Sequence, residues 1–304
     1  MKKASQILLA LVAGLVLLAS QASASAVFVN GTYNELFFNN FELLFDSDGN
    51  QIDLVTDYQR GILPGDYFMG IINVQNVDSG GLTHWYSSPT DQFTGVFVQK
   101  VTSIAYPDPF TGSTTYSHIS MTNTDKLSFT LLDSTVIDLT GIINTGEMFA
   151  LYRDSSTQFE SNGSIADDIA KATDGDLLMT AGIALDTDYF YSHVGLYVPL
   201  VQFDGRAFGG LSIMRDNSGT YMWMPIDDID ENEIGTMAQL ILTSELEQNR
   251  NHTQYATTDP RWSPWQLRSN DPATMFPVVP EPSTFILFGA GLVGLGVIAR
   301  RRRQ

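Results

Sequence analysis

Between an uncharged apolar run near each end, the chain is built from short apolar stretches rich in Val, Ile, Phe, Tyr and Thr, separated by clusters of Gly, Asn, Asp and Pro. That is the pattern of β-strands rather than of long helices. Strands are predicted over residues 41–45, 67–74, 93–104, 127–132, 177–184, 189–198, 209–214, 221–224 and 239–243. The sharpest hairpin signal joins residues 209–214 to 220–224 through Arg215-Asp216-Asn217-Ser218-Gly219, because Asn and Gly accept the left-handed backbone of tight turns. Helix signals are few. Ser164 is placed to cap a segment over residues 165–172, with Asp167 and Asp168 in its first turn, and a second short helix is predicted near residues 135–143. No repeat of 20 to 50 residues is present, which disfavours solenoids and propellers. The body therefore reads as mainly β, a β-sandwich with one or two short helices.

The two ends carry a different pattern. Lys2 and Lys3 precede an uncharged apolar stretch over residues 7–19, and Ala22-Ser23-Ala24-Ser25-Ala26 follows with the small side chains that signal peptidase requires. Residues 1–26 read as a signal peptide cut after Ala24 or Ala26. At the other end, Pro280-Glu281-Pro282-Ser283-Thr284 precedes residues 285–299, which hold no charge, and Arg300, Arg301, Arg302 and Arg303 close the run. Fifteen helical residues reach about 22 Å, short of the ~30 Å hydrocarbon core, and Thr284, Ser283 and snorkelling arginines extend the span. A transmembrane helix is expected over residues 284–299. The arginines act as a membrane stop and, by the positive-inside rule, leave the body on the outer face of the inner membrane. Gly289, Gly291, Gly294 and Gly296 give that helix a small-residue groove.

Motif, Gly-rich apolar helix and closing arginines, in that order, resemble the PEP-CTERM sorting signal of Gram-negative bacteria that make exopolysaccharide. The resemblance covers residues 279–303 only. It implies recognition by an exosortase, a membrane-embedded processing enzyme, with Pro280, Glu281 and Pro282 as features of the substrate and none of them catalytic. The expected organisation is a signal peptide over 1–26, a β-rich extracellular domain over 27–258, a Pro-rich tether over 259–279 and the sorting signal over 280–303. The tether reading rests on Pro260, Pro264, Pro272 and Pro277, which deny the chain ladder hydrogen bonds; Trp262 and Trp265 are expected to pack on the body.

Charge narrows the partners. Net charge is −18, and six of the 16 basic residues lie in the two ends, leaving 10 basic residues against the chain's 34 acidic groups. Such a surface opposes nucleic-acid binding, which depends on Lys and Arg neutralising phosphates. There is no cysteine, so thiol chemistry, thiolate metal sites and disulfides are excluded. No G-x-S-x-G elbow, P-loop or dinucleotide fingerprint occurs, and His84, His118, His193 and His252 lack zinc-ligand spacing. No catalytic residue is assigned. Asp46, Asp48, Asn50 and Asp53 place oxygen side chains in the manner of a calcium loop, yet Gly49 falls where an EF-hand has none, and a turn between strands explains the same letters. A second acidic run, residues 227–233, reads either as a calcium site or as a solvated loop. Trp85, Tyr86, Trp223, Trp262 and Trp265 are suited to stacking on sugars and equally to a β core.

These observations describe an exported cell-surface or matrix protein, non-enzymatic, associated with exopolysaccharide or biofilm, and handled by signal peptidase and an exosortase. The alternatives are an extracellular polysaccharide hydrolase and a calcium-dependent carbohydrate-binding module. No cofactor is expected apart from calcium at the Asp46 loop.

Overall fold

A computed structural model describes residues 27–54, 57, 60–106, 108, 117–155, 159–161, 163–194, 204–218, 222–229, 235–248 and 265–278. The signal peptide, the sorting motif, residues 284–299, Trp262 and His252 lie outside the described residues. Among the described residues, no helix is long and apolar enough to cross a membrane.

The first half of the chain holds β1 (Asn34–Phe45), β2 (Tyr67–Ser79), β3 (Leu82–Tyr86), β4 (Gln92–Ala105), β5 (Ser117–Asn123), β6 (Ser128–Thr130), β7 (Val136–Asp138) and β8 (Phe149–Asp154). Helix α1 (Ile165–Ala172) follows, then β9 (Asp176–Gly182), β10 (Tyr189–Val194), β11 (Asp204–Asp216), β12 (Met222–Trp223), β13 (Ile226–Ile229), β14 (Gly235–Ala238), β15 (Leu240–Gln248), β16 (Leu267–Met275) and β17 (Pro277–Val278). Among the described residues the chain is thus mainly β with one short helix. Its main sheet closes on itself as a barrel, rather than forming the two packed sheets of a sandwich, and three two-stranded sheets accompany it.

Closure runs through antiparallel ladders from β4 to β2, β1, β16, β15 and β11. The gap between β11 and β4 is bridged by two short strand pairs, one above the other. At one level β9 and β8 span it, using residues 212–216 of β11 and 92–97 of β4. At the other level β10 and β5 span it, using residues 205–210 of β11 and 99–105 of β4. Full closure leaves these strands no free edge in the ring.

Alternation along β1 shows how the sequence builds two cores. Leu36, Phe38, Asn40, Glu42 and Leu44 are buried at every second position, while Glu35 is exposed between them. From Glu42 onward both faces are buried. The inner core includes Leu36, Phe38, Phe68, Ile72, Phe97, Phe149, Leu242 and Met275. The outer core gathers Leu43, Phe45, Met69, Val96, Phe129, Ile165, Ile169 and Trp265 where α1 and the β6–β7 hairpin cover the barrel wall. Inward-facing glycines make room for rings: a side chain at Gly70 would meet the Phe97 ring, and one at Gly209 the Phe190 ring, each at 2.6 Å.

Several expectations need revision. Met222 and Trp223 do not form a hairpin arm on β11: β11 gives one edge to β15 and the other to β9 and β10, so β12 pairs with β17 instead, and residues 219–221 lie outside the described residues. Residues 135–143 are not helical, because the β-branched Val136 and Ile137 pair with β6 and turns follow. Most of the stretch read as a tether is structural. Residues 267–275 are β16, held between β1 and β15, and the ladder to β15 skips Asp271 and Pro272, where proline has no N–H to donate. Helix α1 matches its prediction: Ser164 Oγ accepts from the Asp167 N–H at 3.2 Å.

Candidate functional site

The Asp46 loop is a tight turn at the end of β1. Asp46 Oδ1 accepts the N–H groups of Asp48 and Asn50 at 2.9 and 2.8 Å, and the Asn50 side-chain amide lies 3.3 Å from Oδ2. Gly49 closes the turn at φ 88°, with its N–H on the Asp46 carbonyl. These backbone bonds hold the Asp46 carboxyl below its usual range against the opposing effect of partial burial. Asp46 and Asn50 are thus brought together by the turn itself, with Asp48 exposed on it and Asp53 beyond it. In the second acidic run, Ile226–Ile229 supplies β13, paired with β14.

The described tryptophans, Trp85, Trp223 and Trp265, belong to the cores. Trp265 is fully buried, and its indole N–H donates to Asp168 Oδ2 at 2.9 Å. Trp85 donates to Asp91 Oδ2 at 2.9 Å and lies 4.9 Å from Phe93, while Trp223 meets Phe28 edge-on at 5.4 Å. Of the aromatics considered for sugar stacking, Tyr86 alone among the described residues is exposed.

The barrel interior mixes polar side chains with aromatic rings at one level and is almost wholly apolar at the other. Asn40, Glu42, Gln99, Ser192, Ser244 and Ser269 line a void of about 40 Å³. The neighbouring void, about 50 Å³, is lined mainly by Leu36, Ile72, Val74, Leu151, Met179 and Met275. Spaces of this size hold a few waters and no organic ligand. Asn40 Oδ1, Ser192 Oγ and Ser244 Oγ find no hydrogen-bond partner in the protein, which suits the polar void to water. Burial pushes the Glu42 carboxyl up to about 7, opposed by the hydroxyl that Ser269 donates to it.

One further constellation sits on the outer wall at the β5–β10 level. The antiparallel register sets His118 directly opposite His193, and Asp108 reaches them from the connection between β4 and β5. Among the described residues, these three form the group of His, Asp or Glu side chains whose ligand-capable atoms all lie within 4.8 Å of one another. All are buried, Asp108 to 1% exposure. His193 Nδ1 is hydrogen-bonded to Asp108 Oδ2, and His118 Nε2 lies 3.2 Å from Ser120 Oγ. Tyr191 stacks on His118 at 4.8 Å, and Phe208 meets His193 edge-on at 5.9 Å, so the polar groups sit in an aromatic enclosure. The histidines lie 75 positions apart in sequence, and only the pairing of β5 with β10 joins them. Alternation places His118 and His193 on outward faces; nothing in the linear order gives the register.

A family model of the PEP-CTERM protein-sorting motif matches residues 278–303. No curated protein matches the chain.

Proposed function

Since the chain carries a PEP-CTERM sorting motif, and so is an exported protein sorted through an exosortase, we propose that it serves outside the cell as a non-enzymatic barrel module of the surface or extracellular matrix, associated with exopolysaccharide. The observation that carries this reading is the junction between fold and address. The barrel-closing strand β16 ends at Met275 and the short β17 at Val278, and the matched motif begins at that residue. Processing at Pro280, Glu281 and Pro282 therefore frees a barrel that has lost no strand. An interior filled by its own side chains, with voids too small for an organic ligand, supports a structural role over a substrate-binding one. The net acidic, cysteine-free composition suits a protein that persists in an oxidising, salt-exposed setting without disulfides.

The test separates matrix association from catalysis. Exopolysaccharide from the producing bacterium is incubated with the purified protein, then assayed for co-sedimentation and for new reducing ends. Co-sedimentation without new reducing ends is the expected result. Release of reducing ends by the protein would establish the hydrolase reading instead.

A further inference from the structure

We propose that Asp108, His118 and His193 form a binding site for one divalent transition-metal ion of the zinc class, which fastens the β4–β5 connection to the barrel wall. Two imidazole nitrogens and one carboxylate oxygen suit Zn²⁺, whereas Ca²⁺ and Mg²⁺ favour all-oxygen sites. The three ligand atoms already lie within 4.8 Å of one another, so small side-chain rotations, with the hydrogen-bonded Asp108 and His193 moving apart, bring them to the separations that metal–ligand bonds of about 2.0–2.2 Å require.

Burial favours the assignment. Two imidazoles and a carboxylate enclosed by Tyr191 and Phe208 form a costly polar group for an aromatic enclosure, and a cation that accepts all three ligands offsets that cost. The hydrogen bond between His193 Nδ1 and Asp108 Oδ2 gives way as the metal takes both atoms and the shared proton leaves to solvent. Ser120 Oγ, 3.2 Å from His118 Nε2, is an outer partner of the kind that fixes a ligating imidazole's tautomer and leaves its other nitrogen for the metal. Arg206, cross-strand neighbour of His193 on β11, has its guanidinium toward Glu245 at 3.9 Å.

The site also has a structural logic. The β5–β10 pair bridges β4 and β11 at one level of the barrel, and the ligands come from β5, from β10 and from the connection leading into β5. A metal there ties the three together, as a disulfide would in a chain that has cysteine.

The full chain, purified in detergent and stripped with a chelator, is titrated with Co²⁺ and then with Zn²⁺. The expected result is a single equivalent of Co²⁺ with visible d–d absorption, displaced by Zn²⁺, and a melting temperature raised by either metal. His118→Gln and His193→Gln should each weaken Co²⁺ binding by more than about 10-fold, and Ser120→Ala by about 10-fold, the loss typical of an outer partner. X-ray absorption at the zinc edge of the wild-type protein reads two imidazoles, so the proposal stays testable even where a variant does not fold. Equal binding by wild type and both histidine variants, no binding by wild type, or a zinc environment without imidazole would each overturn it.

Discussion

Glu42 is a carboxyl group held inside a barrel, and burial sets its chemistry. Its pKa rises to about 7 because the anion has lost its water. The folded protein therefore holds a proton on Glu42 that the unfolded chain, near its ordinary value of 4.5, releases. Between those two values the native state binds more protons, so this residue's contribution to stability is fully present below about pH 4.5 and is lost as pH rises to about 7. The loss amounts to about 3 kcal/mol. Glu42→Gln keeps an acceptor for Ser269 and removes the titration. Urea denaturation at pH 8 should show the variant more stable than wild type, with the difference shrinking toward pH 5; a difference independent of pH would show that Glu42 is not the titrating group.

At the scale of elements, the barrel depends on inward positions with almost no side chain. Gly95 of β4 lies where a Cβ would come within 2.1 Å of the Ala150 carbonyl oxygen on β8. The contact is backbone, which cannot rotate away, so Gly95→Ala should cost about 3 kcal/mol, the upper end of the usual overpacking range, by forcing β4 and β8 apart. Chemical denaturation measures it, and a loss under about 1 kcal/mol would mean that the ladder absorbs a methyl group. Elements were legible where alternation or capping was local: β2, β4, β9 and β11 fall where the apolar runs lie, and Ser164 announces α1. β5 was hidden because Ser117-His118-Ile119-Ser120 carries few apolar residues, and β16 because Pro272 argues against a central strand until the gap in its ladder is seen. The hairpin expectation at residues 215–219 failed for a non-local reason, since a turn signal cannot report that both edges of β11 are already taken. The His118–His193 pairing was illegible on the same ground: it exists only through strand register.

The whole molecule joins an address at its C-terminus to a barrel whose last ladder ends at the start of that address. Motif order made the address legible from Pro280, Glu281, Pro282 and the four arginines, and the family match places it at residues 278–303. Closure of the sheet was not legible, because a barrel and a sandwich share the same alternating strands and differ in which edges meet. Intact-mass measurement of the protein recovered from the surface and medium of the producing bacterium tests the account most directly, alongside a strain carrying Pro280→Ala, Glu281→Ala and Pro282→Ala together. The account predicts a body that has lost residues up to Ala24 or Ala26 and the tail beyond β17, and predicts that the triple variant keeps its tail and stays with the membrane. A wild-type mass with the tail intact, or a cut inside β16 that removes a barrel strand, would contradict it.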